Sequence, residues 1–104
     1  MKAFVATCAV RVEVPWSTSL KEKRAPIRSL VDRFRHRHKT PLVRLHGAES
    51  HTWEILGFSI LGAEAWRVEK EARKAIGTIE AAESELVIGR SELLVDEVDL
   101  GRME

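Results

Sequence analysis

A chain of 104 residues, 44% hydrophobic and 32% charged, has the size and composition of a single globular domain over residues 1–104, which excludes a disordered tract and a bundle of membrane spans. The formal net charge of +1 conceals a segregation, because residues 1–60 carry 11 Lys and Arg against 5 Asp and Glu while residues 61–104 carry 6 against 11. Residues 21–39 alone hold eight basic side chains and two acidic ones, an excess suited to phosphate, to an acidic protein or to the acidic half of a second copy.

Residues 3–14 alternate strictly. Phe4, Ala6, Cys8, Val10, Val12 and Val14 share one face, and Val5, Thr7, Ala9, Arg11 and Glu13 share the other, which predicts a strand with a mixed second face. A signal peptide would show a continuous apolar stretch here, and no apolar run in the chain approaches bilayer length, so the expectation is a cytoplasmic protein with no membrane partner. Cys8 is the single cysteine; within this alternation it reads as a small buried hydrophobe. After "PWSTS", where Trp16 is expected to lie as a lid over the core, Ser19 and Glu22 form an S-x-x-E capping box. Leu20, Ile27, Leu30, Val31 and Phe34 then recur at helical spacing and predict a helix over 20–37. Pro26 interrupts it, so a bend or restart is expected near Ala25, splaying Lys21, Lys23 and Arg24 into a small basic concavity. A local variation without function is the plainer alternative.

Pro41 begins a short strand, "PLVRLHG", suited to a sheet edge. In "TWEILGFSIL", Leu56, Phe58 and Ile60 face one way and Trp53, Ile55 and Leu61 the other, the pattern of a central strand. Ala65, Val68, Ala72, Ala75, Ile76 and Ile79 predict a second amphipathic helix over 64–81, with Trp66 off its stripe. The segment "SELVIGRSELLVDEV" supplies one long strand or two short ones, Gly89 marking a bulge or break. The order βαββαβ favours an α+β ferredoxin-like sandwich: a four-stranded antiparallel sheet, both helices on one face, the first and third strands neighbours at its centre. The opposite face would present Val5, Ala9, Trp53, Ile55 and Leu61, an apolar patch suited to a homodimer interface or a ligand platform.

The segments "SLKEKRAPIRSLVDRFRHR", following a first strand, and "VRLHGAESHTWEILGFSILG" resemble the bacterial YlxP-like family, a domain of unknown function. The resemblance covers nearly the whole chain, and "SLKEKR" is its most specific part. Pro26, where an aliphatic residue would be usual, and His51, near which an aromatic would be, depart from the pattern; Trp53 fills the aromatic role. The resemblance implies a ferredoxin-like fold and brings no established catalytic residue and no cofactor. Relatives are often encoded near translation and ribosome-maturation factors, which implies an RNA-related role.

At about 100° per residue, Lys21, Arg24, Arg28 and Arg35 fall on one flank of the first helix, and Lys39 continues it. Such a row can track successive phosphates of structured RNA or a ribosomal particle, and the helix start at Ser19 adds free N–H groups. The alternative is a solvated face whose arginines pair with Asp32, Glu22 or the acidic half of the chain. His36, His38, His46 and His51 prompt a metal check, but their spacing matches no ligand motif, and surface or helix-end imidazoles are the simpler account. No glycine-rich phosphate loop or nucleophile elbow is present; Glu49 and His51 beside Trp53 are the one place an enzymatic cleft could form. "TWEILGFSIL" lacks the aromatic pattern of an RNA-recognition module. The favoured reading is a non-enzymatic RNA-binding module; the alternative is a homo-oligomeric protein-interaction module using Val5, Trp53, Ile55 and Leu61.

Overall fold

The alternation that opens the chain becomes strand β1, Lys2–Glu13, in a computed structural model that describes all of residues 1–104. Ala6, Cys8, Val10 and Val12 are buried, and the intervening residues are half-buried or exposed. Burial pushes the Cys8 thiol pKa up, so it stays protonated and inert as a core residue. The chain leaves β1 through a tight turn in which Ser17 N–H donates to Val14 O at 3.0 Å and Ser17 Oγ–H to Ser19 O at 2.7 Å. That turn buries Ser17 and leaves Trp16 56% exposed. Trp16 is therefore not the lid expected of it.

Helix α1 spans Leu20–Arg37. Ser19 caps it, its Oγ accepting from Glu22 N–H at 3.1 Å. The return half of the capping box is diverted, because the Glu22 carboxylate accepts from Thr18 Oγ–H at 2.8 Å instead. The helix runs unbroken through Pro26, so the expected restart does not occur. Packing supplies the reason: the buried residues are Lys23, Ile27, Leu30 and Phe34, one stripe at i, i+4, i+7 and i+11 that needs a continuous helix on both sides of the proline. Lys23 is drawn inward with this stripe rather than splayed outward into a basic concavity.

Strand β2 is short, Val43–His46, and begins two residues after Pro41. It pairs antiparallel with β3, Trp53–Gly62, and its register slips at Leu45, since Arg44 faces Leu56 but His46 faces Ile55. Leu45 folds over Gly57, where an added Cβ would lie 2.5 Å from Leu45 Cδ1 and 2.8 Å from the Cys8 carbonyl oxygen; only glycine leaves that room. Helix α2, Ala65–Glu80, lays Val68, Ala72, Ala75 and Ile79 on the sheet. Trp66 stays 57% exposed, with Nε1–H donating to Glu64 at 2.9 Å. The last strand, β4, is continuous over Val87–Asp99. Its pairing with β1 shifts around Arg11, Val10 facing Ser91 and Val12 facing Ile88, so Gly89 and Arg90 together oppose one residue. Gly89 is thus at the expected bulge, close against the Arg11 carbonyl.

The sheet order is β2-β3-β1-β4, every neighbour pair antiparallel. Both helices pack on the face carrying Ala6, Cys8, Val10, Leu56 and Phe58, forming one core, with the Phe34 and Phe58 rings tilted 5.1 Å apart. This is the ferredoxin-like α+β fold, with β1 and β3 central as expected. The long β1 and β4 ladder gives an elongated body of 53 × 23 × 22 Å. No helix is long and apolar enough to cross a membrane.

Candidate functional site

The basic flank of α1 forms as the helical spacing requires. Lys21, Arg24, Arg28, Arg35 and Lys39 are all exposed, and none of them is ion-paired. Asp32 lies on the same flank, four residues after Arg28 and three before Arg35, yet pairs with neither. Arg33, on another face of α1, reaches Glu85 in the acidic half at 3.1 Å.

The open sheet face collects the apolar residues expected of it. Register places Val5 opposite Leu61, Arg11 opposite Ile55 and Glu13 opposite Trp53, and Val5, Ala9, Ile55 and Trp53 are half-buried there. Leu61 is 70% exposed. Leu94, 62% exposed and facing Thr7, and Leu45 join this face, and neither stood out in the sequence. The Trp53 ring is already engaged: the Arg11 guanidinium sits 4.3 Å over it, the His46 ring is 5.7 Å away, and Gly47, at φ 87°, lies against its edge so closely that a Cβ would be 2.5 Å from the ring. Acidic Glu92 and Asp96 face Ala9 and Val5 from β4, giving that side of the patch a negative rim.

Beneath the start of α1 lies a cluster that sequence reasoning missed. Lys23 and Glu54 are both fully buried, with Lys23 Nζ 3.0 Å from Glu54 Oε1. The same ammonium donates to the carbonyls of Gly47 at 2.9 Å, Ala48 at 3.2 Å and Trp53 at 3.3 Å. Four oxygens therefore share its three protons, and the turn between β2 and β3 is tied to the first helix. Arg44, itself 40% exposed, grips Glu54 with two N–H groups, Nη2–H to Oε1 at 2.8 Å and Nε–H to Oε2. Burial pushes the Glu54 carboxyl pKa up, but hydrogen bonds and charge from Arg44 and Lys23 outweigh it and hold the carboxyl below its usual range. No buried polar side-chain atom lacks a partner. The signal was present in the sequence: Lys23 completes the apolar stripe of α1, and Glu54 alternates with Leu56 and Phe58 on the core face of β3.

The histidines are dispersed. His36 Nδ1–H donates to Asp32 O at 2.9 Å, His38 Nε2 meets Thr78 Oγ1 at 2.8 Å, His46 lies by Trp53, and His51 is exposed. No three His, Cys, Asp or Glu side chains gather in a way that could hold a metal ion. Glu49 and His51 sit on the surface of the turn and line none of the three principal clefts. The largest of these lies elsewhere, where α1 ends beside α2, and is lined by Arg37, Lys39, Lys74 and Thr78 among others.

No curated protein matches the sequence. Residues 5–92 match the family model described as a protein of unknown function, DUF503; that span takes in the capped basic helix, the buried Lys23–Glu54–Arg44 cluster and the first part of β4, and the chain belongs to this YlxP-like family.

Proposed function

We propose that the protein is a non-enzymatic binding module that contacts structured RNA, or a ribosomal particle, through the flank Lys21, Arg24, Arg28, Arg35 and Lys39. The observation that carries this reading is that five exposed cations lie along one helix and its continuation with no carboxylate paired to any of them. Phosphate would meet free guanidinium and ammonium groups there, at no cost in broken ion pairs. Fluorescence anisotropy with ribosomal RNA fragments tests it. The wild type is expected to bind with affinity that falls steeply between about 50 and 200 mM salt, and Arg24→Ala/Arg28→Ala to lower the slope of log K against log salt by about 1.5 to 2. An absence of binding at the lower salt would end this reading.

A second reading is favoured by the open sheet face, where Leu61 and Leu94 leave most of their surface to water. Self-association through Val5, Trp53, Ile55 and Leu61 would cover that patch. Sedimentation at about 50 μM is expected to give a dimer for the wild type and a monomer that stays folded for Leu61→Asp, because an exposed charge leaves the monomer fold intact. A monomeric wild type would remove the reading.

A further inference from the structure

The basic flank of α1 runs into the largest of the three principal clefts, and the second wall of that cleft comes from α2. His38 fixes the junction. It ends α1, its N–H donating to Phe34 O at 2.9 Å, its ring lies 4.6 Å from that of Phe34, and its Nε2 meets Thr78 Oγ1 of α2. Lys39 and Thr40 then turn away, Thr40 Oγ–H donating to Ser59 O at 2.8 Å. The open space left between is about 930 Å³, and Glu71 is the sole carboxylate among the residues that line it. An adjoining hollow of about 620 Å³, lined by Arg35, Arg37 and Lys39, leads from this space back to the α1 flank. Arg35, Arg37, Lys39 and Lys74 are all free of ion pairs.

We propose that this cleft seats a phosphate group of RNA, with Lys74 supplying from α2 a contact that α1 alone cannot make. In taking RNA as the source of the phosphate, the proposal rests on the reading of α1 given above. Cations at a helix C-terminus can serve only to offset its partial negative charge of about half a unit. That account covers Arg35 and Arg37, but Lys74 lies in the middle of α2 and answers to no helix end. The field at the junction is correspondingly positive: burial lowers the His38 pKa, and the charges of Arg37 and Lys74 lower it further. A cleft in which Arg37, Lys39 and Lys74 outnumber the single carboxylate Glu71 concentrates a net positive field on an incoming anion. Its openness and volume, far larger than one phosphate group, fit a polymer backbone crossing it better than a small molecule enclosed in it.

The His38 imidazole provides the readout, followed by NMR as a function of pH with an RNA hairpin and, separately, with inorganic pyrophosphate. A phosphate beside Lys74, Arg37 and Lys39 would offset their charge, so bound RNA is expected to raise the His38 pKa by about half a unit or more. Glu71, the other charged group facing the cleft, is present in every arm. Lys74→Gln is expected to shrink that response and to lower the RNA salt slope by about one. If RNA binds and Arg24→Ala/Arg28→Ala weakens it while His38 and Lys74→Gln register nothing, the cleft site is overturned and the α1 reading stands. If pyrophosphate shifts His38 saturably and RNA does not bind, RNA is overturned as the source and free phosphate takes its place. Silence toward both ligands overturns the site itself.

Discussion

Lys23→Met is expected to destabilise the fold by about 3–5 kcal/mol, the cost of breaking a buried ion pair from one side. Methionine preserves the packing of the aliphatic stem against the α1 stripe, so the loss isolates the ammonium. Glu54 would keep Arg44 but lose its interior partner, and the carbonyls of Gly47, Ala48 and Trp53 would each lose a donor. For a domain of this length the effect corresponds to a fall in Tm of roughly 12 to 30 °C, readable by thermal melts or by urea titration with an unchanged m-value. Lys21→Met, at an exposed neighbouring position, is expected to move stability by less than about 0.5 kcal/mol. Equal, small effects at the two positions would mean that the buried ammonium does not hold the turn between β2 and β3.

The contrast between Lys21 and Lys23 marks where the sequence is readable and where it is not. Periodicity located every element: the predicted helices over 20–37 and 64–81 are observed as Leu20–Arg37 and Ala65–Glu80, and the two most apolar strands pair at the centre of the sheet. Such features repeat along the chain, so each residue corroborates its neighbours. The buried cluster has no such redundancy. Lys23 stands where the stripe calls for an apolar residue, but lysines are almost never fully buried, and a basic run around it invites a surface assignment. Recognising it required Glu54, 31 positions away, at a core register of another element. The restart expected at Pro26 failed for a related reason: the local cost of a proline, about 3 kcal/mol, is outweighed when the residues on both sides must share one buried face. The α1 flank was legible because it depends on helix geometry alone. The cleft beside it was not, because Lys74 reaches it only through the packing of α2 against the end of α1.

Acid titration tests the same cluster from the other side, and the sign follows from the direction of the Glu54 shift. Its carboxyl is held below the usual range in the folded protein, so the unfolded chain takes up a proton at a higher pH than the native state does. The stabilisation is therefore complete above the ordinary carboxylate pKa of about 4.3 and is lost as pH falls through the lower folded value. Glu54→Gln keeps the shape and removes the charge. At pH 7 it is expected to cost about 3–5 kcal/mol, because Lys23 is left buried without its counter-ion while Arg44 can turn to water. The wild type approaches the same neutral condition only in acid, so the two stability curves are expected to converge as pH falls from about 5 toward 2. His38 contributes in a separate window: its pKa lies below the usual imidazole value, so its share of stability is present above about 6.5 and declines as pH falls through the folded value. His38→Gln removes that component and leaves the convergence in place. A gap between wild type and Glu54→Gln that stays constant from pH 7 to about pH 2 would show that Glu54 is not held as a carboxylate between Lys23 and Arg44, and the account of how the turn between β2 and β3 is anchored would have to change with it.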